Sequence, residues 1–337
     1  MTPPNGAIGP EAPPIVVLDG GFSTQLSCHV GHVIDGDPLW SARFLHTHPY
    51  EVVNTHLDFL RAGADVIITN TYQASIDGFV EHLGVTKDQA YGLIVKAVEL
   101  AKEARTLYLK EFEDYVPAGQ QPTVVGSVGP YGAHLHDGSE YDGSYADNVS
   151  VEIMREWHRP RIQALVEAGV DMLALETIPC QEEGEMLCDL LREFPHIKAW
   201  LSFSCKDNVS IAHGESFQKV AKKCWETNPE QLVAVGINCC APSSIAHLLK
   251  GFNDDRPHNP IPLIVYPNSG EKYNPQIGWI DRDKCEPVEV FIPDWLDLGV
   301  RYVGGCCRTY AADVSRIRNQ VHRWRDRFRF QQFQKKN

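Results

Sequence analysis

No run of 18 apolar residues occurs anywhere in the 337-residue sequence, so no membrane-spanning helix is expected. The first 14 residues lack the basic stretch of a secretory signal; they carry five prolines and two glycines instead and read as a flexible N-terminal tail. Positive charge is in deficit. With 31 Lys and Arg against 44 Asp and Glu, the net charge of −13 repels phosphates and anionic lipid, which argues against nucleic-acid and membrane partners and leaves small molecules as the expected ligands. No GxGxxG follows the first apolar run, so the dinucleotide-binding turn of a doubly wound sheet is missing. Internal repeats and low-complexity blocks are absent too. Together these features predict a cytoplasmic globular protein; oligomeric state leaves no mark on the sequence.

What is present is a strand-then-helix rhythm in a chain that is 43% apolar. Eight short, β-branched runs recur at Ile15–Gly21, Ala64–Tyr72, Thr123–Gly129, Met172–Ile178, Ala199–Cys205, Leu232–Cys239, Pro262–Asn268 and Tyr302–Cys307, separated by stretches of helical periodicity. Gly63, Gly169 and Gly299 stand where a left-handed residue would end a helix just before the next strand. Eight such units predict an α/β fold, a single-domain (β/α)8 TIM barrel over residues 15–325, with a basic C-terminal tail over 326–337. Four connections exceed ordinary turns: 22–49, 131–149, 251–261 and 269–289. All but 251–261 follow a strand and belong to the C-terminal mouth, where barrels place their active sites.

Ten cysteines in a chain without a secretory signal read as reduced thiols or metal ligands. Six have no partner at ligand spacing. The other four form two adjacent pairs, Cys239-Cys240 closing the sixth run and Cys306-Cys307 closing the eighth. Barrel geometry brings both strand ends to one rim, so three thiolates can meet there, provided the chain turns between Cys306 and Cys307. Gly304 and Gly305 allow such a turn. Three soft thiolates suit Zn2+ with its fourth position open to a thiol substrate. A closed four-thiolate site that includes Cys240, or simple cysteine packing, fits the spacing as well.

At these positions the sequence resembles the homocysteine S-methyltransferase family of zinc barrels. The motifs that carry the resemblance are Leu18-Asp19-Gly20-Gly21, Thr69-Asn70-Thr71-Tyr72-Gln73, Gly126-Ser127-Val128-Gly129-Pro130, Leu175-Glu176-Thr177, Gly236-Ile237-Asn238-Cys239, Tyr266-Pro267-Asn268-Ser269-Gly270 and Gly304-Gly305-Cys306-Cys307. The resemblance implies that Cys239, Cys306 and Cys307 bind zinc and that Asp19 and Glu176 receive the amino group of homocysteine. Backbone donors of the turn containing Gly20 and Gly21 would take its carboxylate. Asn70, Thr71 and Ser127 match rim positions, and Asn268 would orient donor or acceptor. The implied reaction is methyl transfer from a sulfonium donor, S-methylmethionine or S-adenosylmethionine, to the homocysteine thiolate, giving methionine. The chain stops soon after its last barrel helix and on that ground looks nearer to the S-methylmethionine-dependent branch than to the betaine-dependent one. Selenocysteine is an alternative acceptor, since a selenol presents a similar soft anion.

Two rival readings use the same residues: a barrel lyase with Glu176 as acid or base on another metal, and a non-catalytic zinc or redox sensor in which Cys306 and Cys307 are oxidised together. Trp40 and Trp279 lie in mouth loops and are placed either to face a donor cation or to pack those loops. His29, His32, His134 and His136 read as solvated loop residues. The eight Lys and Arg between Arg316 and Lys336 read as an exposed final helix and frayed end.

Overall fold

A computed structural model describes residues 12–31, 34–117, 119–274 and 278–336. Most of the expected N-terminal tail, and His32, lie outside the described residues. Among the described residues no helix is long and apolar enough to cross a membrane.

Eight parallel strands form one sheet: β1 (Val16–Val17), β2 (Val66–Ile68), β3 (Thr123–Val128), β4 (Met172–Ile178), β5 (Ala199–Phe203), β6 (Leu232–Asn238), β7 (Leu263–Tyr266) and, after a two-strand hairpin β8 (Lys272–Asn274) and β9 (Gly278–Ile280), β10 (Val300–Val303). Pairing runs in the order β1-β10-β7-β6-β5-β4-β3-β2. The seam between β1 and β2 has no regular ladder. It is closed by Asp65, whose N–H donates to Val17 O at 2.7 Å and whose carboxylate accepts from Val17 N at 2.8 Å, and higher up by Asp19 Oδ2, which accepts from Ile68 N at 2.7 Å. The result is the (β/α)8 barrel that the strand rhythm predicts.

Alternation along the strands divides the core in two, because successive side chains point to opposite faces. Leu18, Ile68, Val125, Trp200, Ile264 and Tyr266 are among those filling the barrel interior, whereas Val17, Ile67, Leu173, Leu201, Val235 and Val265 join the larger layer beneath the helices. The helix Lys87–Glu111 shows how local sequence starts these elements. Thr86 accepts from Gln89 N at 3.2 Å while Gln89 Oε1 accepts from Thr86 N at 2.9 Å, a reciprocal cap that contributes about 1 kcal/mol. Gly63, Gly169 and Gly299 adopt φ of +96°, +76° and +100°, the left-handed geometry expected of them.

The strands at the mouth are shorter than their apolar runs. The first ends at Val17 rather than Gly21, the second at Ile68 rather than Tyr72, and the eighth at Val303 rather than Cys307. In each case the residues beyond the ladder bond to side chains or crossing loops, so they form rim rather than sheet. The long loops are structured: 22–49 holds the helix Phe22–Val30, 131–149 holds the short helix Tyr131–Leu135, and 269–289 holds the β8–β9 hairpin. The final helix spans Ala311–Lys336, so the basic segment is helical through most of its length.

Candidate active site

Cys239 follows β6 with φ of +52°, a left-handed conformation that a non-glycine residue holds only under constraint. Its N–H donates to Tyr266 O at 3.1 Å, and Asn268 Nδ2 donates weakly to its carbonyl at 3.4 Å. On the other side, Gly305 N donates to Asp19 O at 2.9 Å and Cys306 N to Pro267 O at 2.7 Å, so the end of β10 is threaded between the β1 and β7 loops. A side chain on Gly305 would place its Cβ 2.2 Å from Thr309 Oγ1; glycine is there for close approach. The turn that brings Cys306 and Cys307 to one point occurs at Arg308, whose φ is +65°.

These devices converge three thiols. One sulfur from each of Cys239, Cys306 and Cys307 lies within 4.8 Å of the other two, and Cys239 Sγ is 3.5 Å from Cys307 Sγ. Thiolates sharing one tetrahedral ion with bonds of about 2.3 Å would sit about 3.8 Å apart, so the spacing fits a single bound metal. Hydrogen bonds from Cys306 and Cys307 hold the Cys239 thiol well below its usual range, and both partners are raised by the same contacts. A second and third negative charge therefore require a cation. Cys240 stays apart: it is buried in the outer core, and burial pushes its thiol up to about 12. Among the described residues no other group of three His, Cys, Asp or Glu side chains is placed to share an ion.

Two buried carboxylates face the same space. Burial pushes Glu176 up to about 7, against the pull of hydrogen bonds from Ser127 and Tyr266, and the Cys307 charge pushes the same way as burial. Asp19 is held well above the carboxylate range by burial and by the charge of Glu176, opposed by the Ile68 N–H. Two buried carboxyls, one raised by the charge of the other, are a ready site for a cationic amine. Beside them begins the helix Phe22–Val30, whose first-turn N–H groups have no partner within the helix and favour an anion. The Gly21 N–H is not among the free donors, because it donates to Thr309 O at 2.9 Å.

Other rim residues that the motifs singled out turn into the scaffold. Asn70 Nδ2 donates to Ser41 O at 2.9 Å, and Thr71 Oγ1 donates to Ser127 O at 2.7 Å. Asn268 Oδ1 accepts from Gly270 N at 2.9 Å, and its own N–H donates to Cys240 O at 3.1 Å. These bonds brace the loops at the rim, while Asn70 Oδ1 is buried without a hydrogen-bond partner. Ser127 reaches a site side chain, donating to the carboxylate of Glu176. Trp40 packs edge-on against Tyr72 at 5.7 Å between ring centroids. His29 bonds Asp58 at 2.7 Å on the helix exterior, and His136 bonds Gln73 at 2.8 Å.

The structure adds residues that sequence reasoning passed over. Glu271, its carboxylate buried, accepts from Ser269 Oγ at 2.7 Å, Arg282 at 2.9 Å and Arg308 Nε at 3.2 Å, tying the 269–289 loop to the residue that follows Cys307. Arg161, fully buried, donates to Tyr72 O at 2.9 Å and Gly129 O at 3.2 Å and so fixes the ends of β2 and β3. Tyr266 OH receives Trp200 Nε1 at 2.9 Å and pairs with Ser202 Oγ at 2.6 Å beneath Glu176. Glu271 and Tyr266 lie at or beside a motif and Arg161 lies within the helix Val151–Glu167, and each has partners more than ten residues away.

The chain matches known proteins over most of its length. The family model described as homocysteine S-methyltransferase matches residues 16–321. A betaine-homocysteine S-methyltransferase of Drosophila melanogaster is 47% identical over 92% of this chain and 95% of its own length. A selenocysteine Se-methyltransferase of Brassica oleracea var. italica is 39% identical over 91% or less of either sequence, namely 90% of this chain and 88% of that protein. The homocysteine methyltransferase MmuM from Escherichia coli, in a crystal structure of its metallated form, superposes with a TM-score of 0.78 at 39% identity, covering 91% of this chain and 96% of MmuM. On the family match and these identities, the chain belongs to the homocysteine S-methyltransferase family.

Proposed function

We propose that this protein transfers a methyl group from a sulfonium donor, S-methylmethionine or S-adenosylmethionine, to the thiolate of homocysteine, giving methionine, and that the metal held by Cys239, Cys306 and Cys307 is Zn2+. The observation that carries this reading is the three-sulfur cluster at the barrel mouth beside two buried carboxylates. Zinc fits a set of three soft thiolates and, when bound, lowers the pKa of a thiol in its open position. Asp19 and Glu176 receive the ammonium of homocysteine, with Ser127 and Tyr266 orienting Glu176, and the N-terminus of the helix Phe22–Val30 receives its carboxylate. The acceptor sulfur then attacks the methyl carbon in line. A new C–S bond forms, the old one breaks, and its electron pair returns to the donor sulfur, so one positive and one negative charge vanish together. Exclusion of water favours such a charge-destroying step.

The test is methyl transfer to homocysteine from labelled S-methylmethionine, S-adenosylmethionine and glycine betaine, with and without a zinc chelator. Betaine is included because a 47%-identical relative is named for it. Chelator-sensitive methionine formation from a sulfonium is the expected result; transfer that survives complete metal removal would defeat the reading. Selenocysteine is the second acceptor to assay, since a relative named as a selenocysteine Se-methyltransferase matches 90% of the chain.

A further inference from the structure

Among the buried polar atoms without a hydrogen-bond partner are Glu140 Oε2 and the Tyr72 hydroxyl, and both belong to the surroundings of the cysteine cluster. Glu140 sits on the turn Ser139–Tyr141 in the loop that follows β3. Its neighbours in that loop are spent on local structure: Asp137 accepts from Ser139 N at 2.9 Å, and Asp142 from Ser144 N at 2.8 Å. Asp35, across the mouth, is exposed and accepts from Trp40 Nε1 at 3.3 Å. Glu140 is therefore a carboxylate of the 131–149 loop with a buried oxygen left without a partner.

Its electrostatic neighbours say what it faces. The Glu140 charge is felt by Tyr72, and Glu140 itself feels Cys307, while Tyr72 feels Cys239. The carboxylate and the phenol thus border the cysteine cluster from the side of the 131–149 loop, apart from the seam between β1 and β2 where Asp19 is anchored. A buried anion with an unmet oxygen is stable only once a cation reaches it.

We propose that Glu140 receives the onium charge of the methyl donor, an assignment that rests on the methyl-transfer reading above. Sulfonium and quaternary ammonium groups cannot donate a conventional N–H or O–H hydrogen bond, so they are recognised by charge and by aromatic faces. A carboxylate beside Tyr72, itself edge-on to Trp40, supplies both. The donor's positive charge disappears in the transition state. Glu140 therefore stabilises the bound donor more than the transition state, and its loss raises KM without lowering kcat. The carboxylate also discriminates: a neutral thioether, the spent donor, loses this attraction and leaves.

The deciding experiment compares the zinc-loaded wild type with Glu140→Gln, which preserves shape and removes charge. Steady-state kinetics are measured for both substrates, and binding of tetramethylammonium, an unreactive onium, is followed by NMR titration. The expected result is a KM for the donor raised about tenfold or more, a kcat within about twofold, an unchanged KM for homocysteine and a matching loss of tetramethylammonium affinity. Unchanged donor KM and unchanged onium binding would overturn the proposal. So would a parallel rise of both KM values with a fall in kcat and Tm, which marks a merely structural residue. A wild type that transfers methyl from no onium donor would defeat the functional reading instead, and the tetramethylammonium comparison would still decide the role of Glu140.

Discussion

Cys239 Sγ and Cys307 Sγ lie 3.5 Å apart although they are 68 positions apart in sequence, because strands β6 and β10 end at the same rim on either side of β7. Replacing Cys306, the third member, with serine substitutes a hard, poorly ionised hydroxyl for a soft thiolate. Cys306 sits on the loop beyond β10, outside the outer hydrophobic layer, so the fold does not depend on its sulfur. Cys306→Ser is expected to lose bound zinc and more than about 100-fold in activity while keeping the wild-type circular dichroism spectrum. Metal analysis of the purified variant checks this, and full zinc occupancy would contradict the ligand assignment.

Glu271 offers a test that touches no ligand. Its carboxylate holds Arg308 and Arg282 on the far side of the cysteine turn, and Arg282 also donates to the Arg308 carbonyl at 3.0 Å. Burial opposes ionisation, but hydrogen bonds from Arg308, Ser269 and Arg282 together hold the carboxyl below its usual range. Glu271→Ala frees the left-handed Arg308 and loosens the turn that points Cys306 and Cys307 at one ion. Zinc affinity is expected to fall about 10- to 100-fold, measured by competition with a chromogenic chelator, with all three cysteines still in place.

How much of this was visible in advance follows from what each feature depends on. The barrel and the meeting of Cys239 with Cys306 and Cys307 were legible because strand rhythm is local and barrel topology then assigns every strand end to one rim. The turn between the paired cysteines was foreseen at Gly304 and Gly305, yet neither glycine has positive φ; they permit close packing, and the left-handed residue is Arg308. Strand lengths were over-read at the mouth. Residues 69–72 and 304–307 continue their apolar runs without a break signal, but past Thr69 and Gly304, which still donate to Val125 O and Val265 O, the chain leaves the ladder and Gly305 and Cys306 donate to the loop carbonyls of Asp19 and Pro267. Thr71 and Asn268 bond within the rim while Asn70 keeps Oδ1 without a partner, a distinction that sequence does not carry, since a polar side chain at a strand end serves either as a loop cap or as a ligand contact. Arg161, Glu271 and Glu140 were missed altogether: a buried charge in sequence looks like any solvated one until its partners are known.

Glu176 links function to stability through pH. Its carboxyl is pushed up to about 7 in the ligand-free fold, above the ordinary value of 4.5 that the unfolded chain retains. Between pH 4.5 and 7 the unfolded state has released its proton while the folded state still holds it, so stability declines as pH rises through that window. Glu176→Gln removes the cost of charging a buried carboxyl and is expected to raise stability at pH 8 by up to about 3 kcal/mol, with little effect at pH 4. The same change removes the anion that meets the homocysteine ammonium, so the KM for homocysteine should rise about tenfold or more. In the wild type that KM should fall as pH rises from 6 to 8 and Glu176 ionises. Denaturant melts and acceptor kinetics at three pH values check both halves; a variant less stable than wild type at pH 8 would contradict the account.

His56 makes the opposite prediction in the scaffold. It lies fully buried on the helix Pro49–Arg61 with its ring 4.7 Å from that of Phe22, and neither ring nitrogen has a hydrogen-bond partner. Burial lowers its pKa to about 3, so the imidazole stays neutral in the folded protein. The unfolded chain, with the ordinary value of 6.5, takes up a proton as pH falls below that point while the folded chain does not until about 3. Stability is therefore lost between pH 6.5 and 3, opposite in sense to the Glu176 contribution. His56→Leu replaces two unmet polar atoms with apolar surface of similar bulk. It is expected to stabilise the protein by about 1–3 kcal/mol at pH 7.5 and to flatten the acid limb of the stability curve. Phe22 opens the helix proposed to hold the homocysteine carboxylate, so a variant that gains stability but loses acceptor affinity would show that the unpaired imidazole is kept to set that helix rather than to fill the core. Guanidinium melts at pH 5 and 7.5, paired with the acceptor KM, separate the two; a destabilised variant at both pH values would refute the assignment of His56 as an unmet buried group.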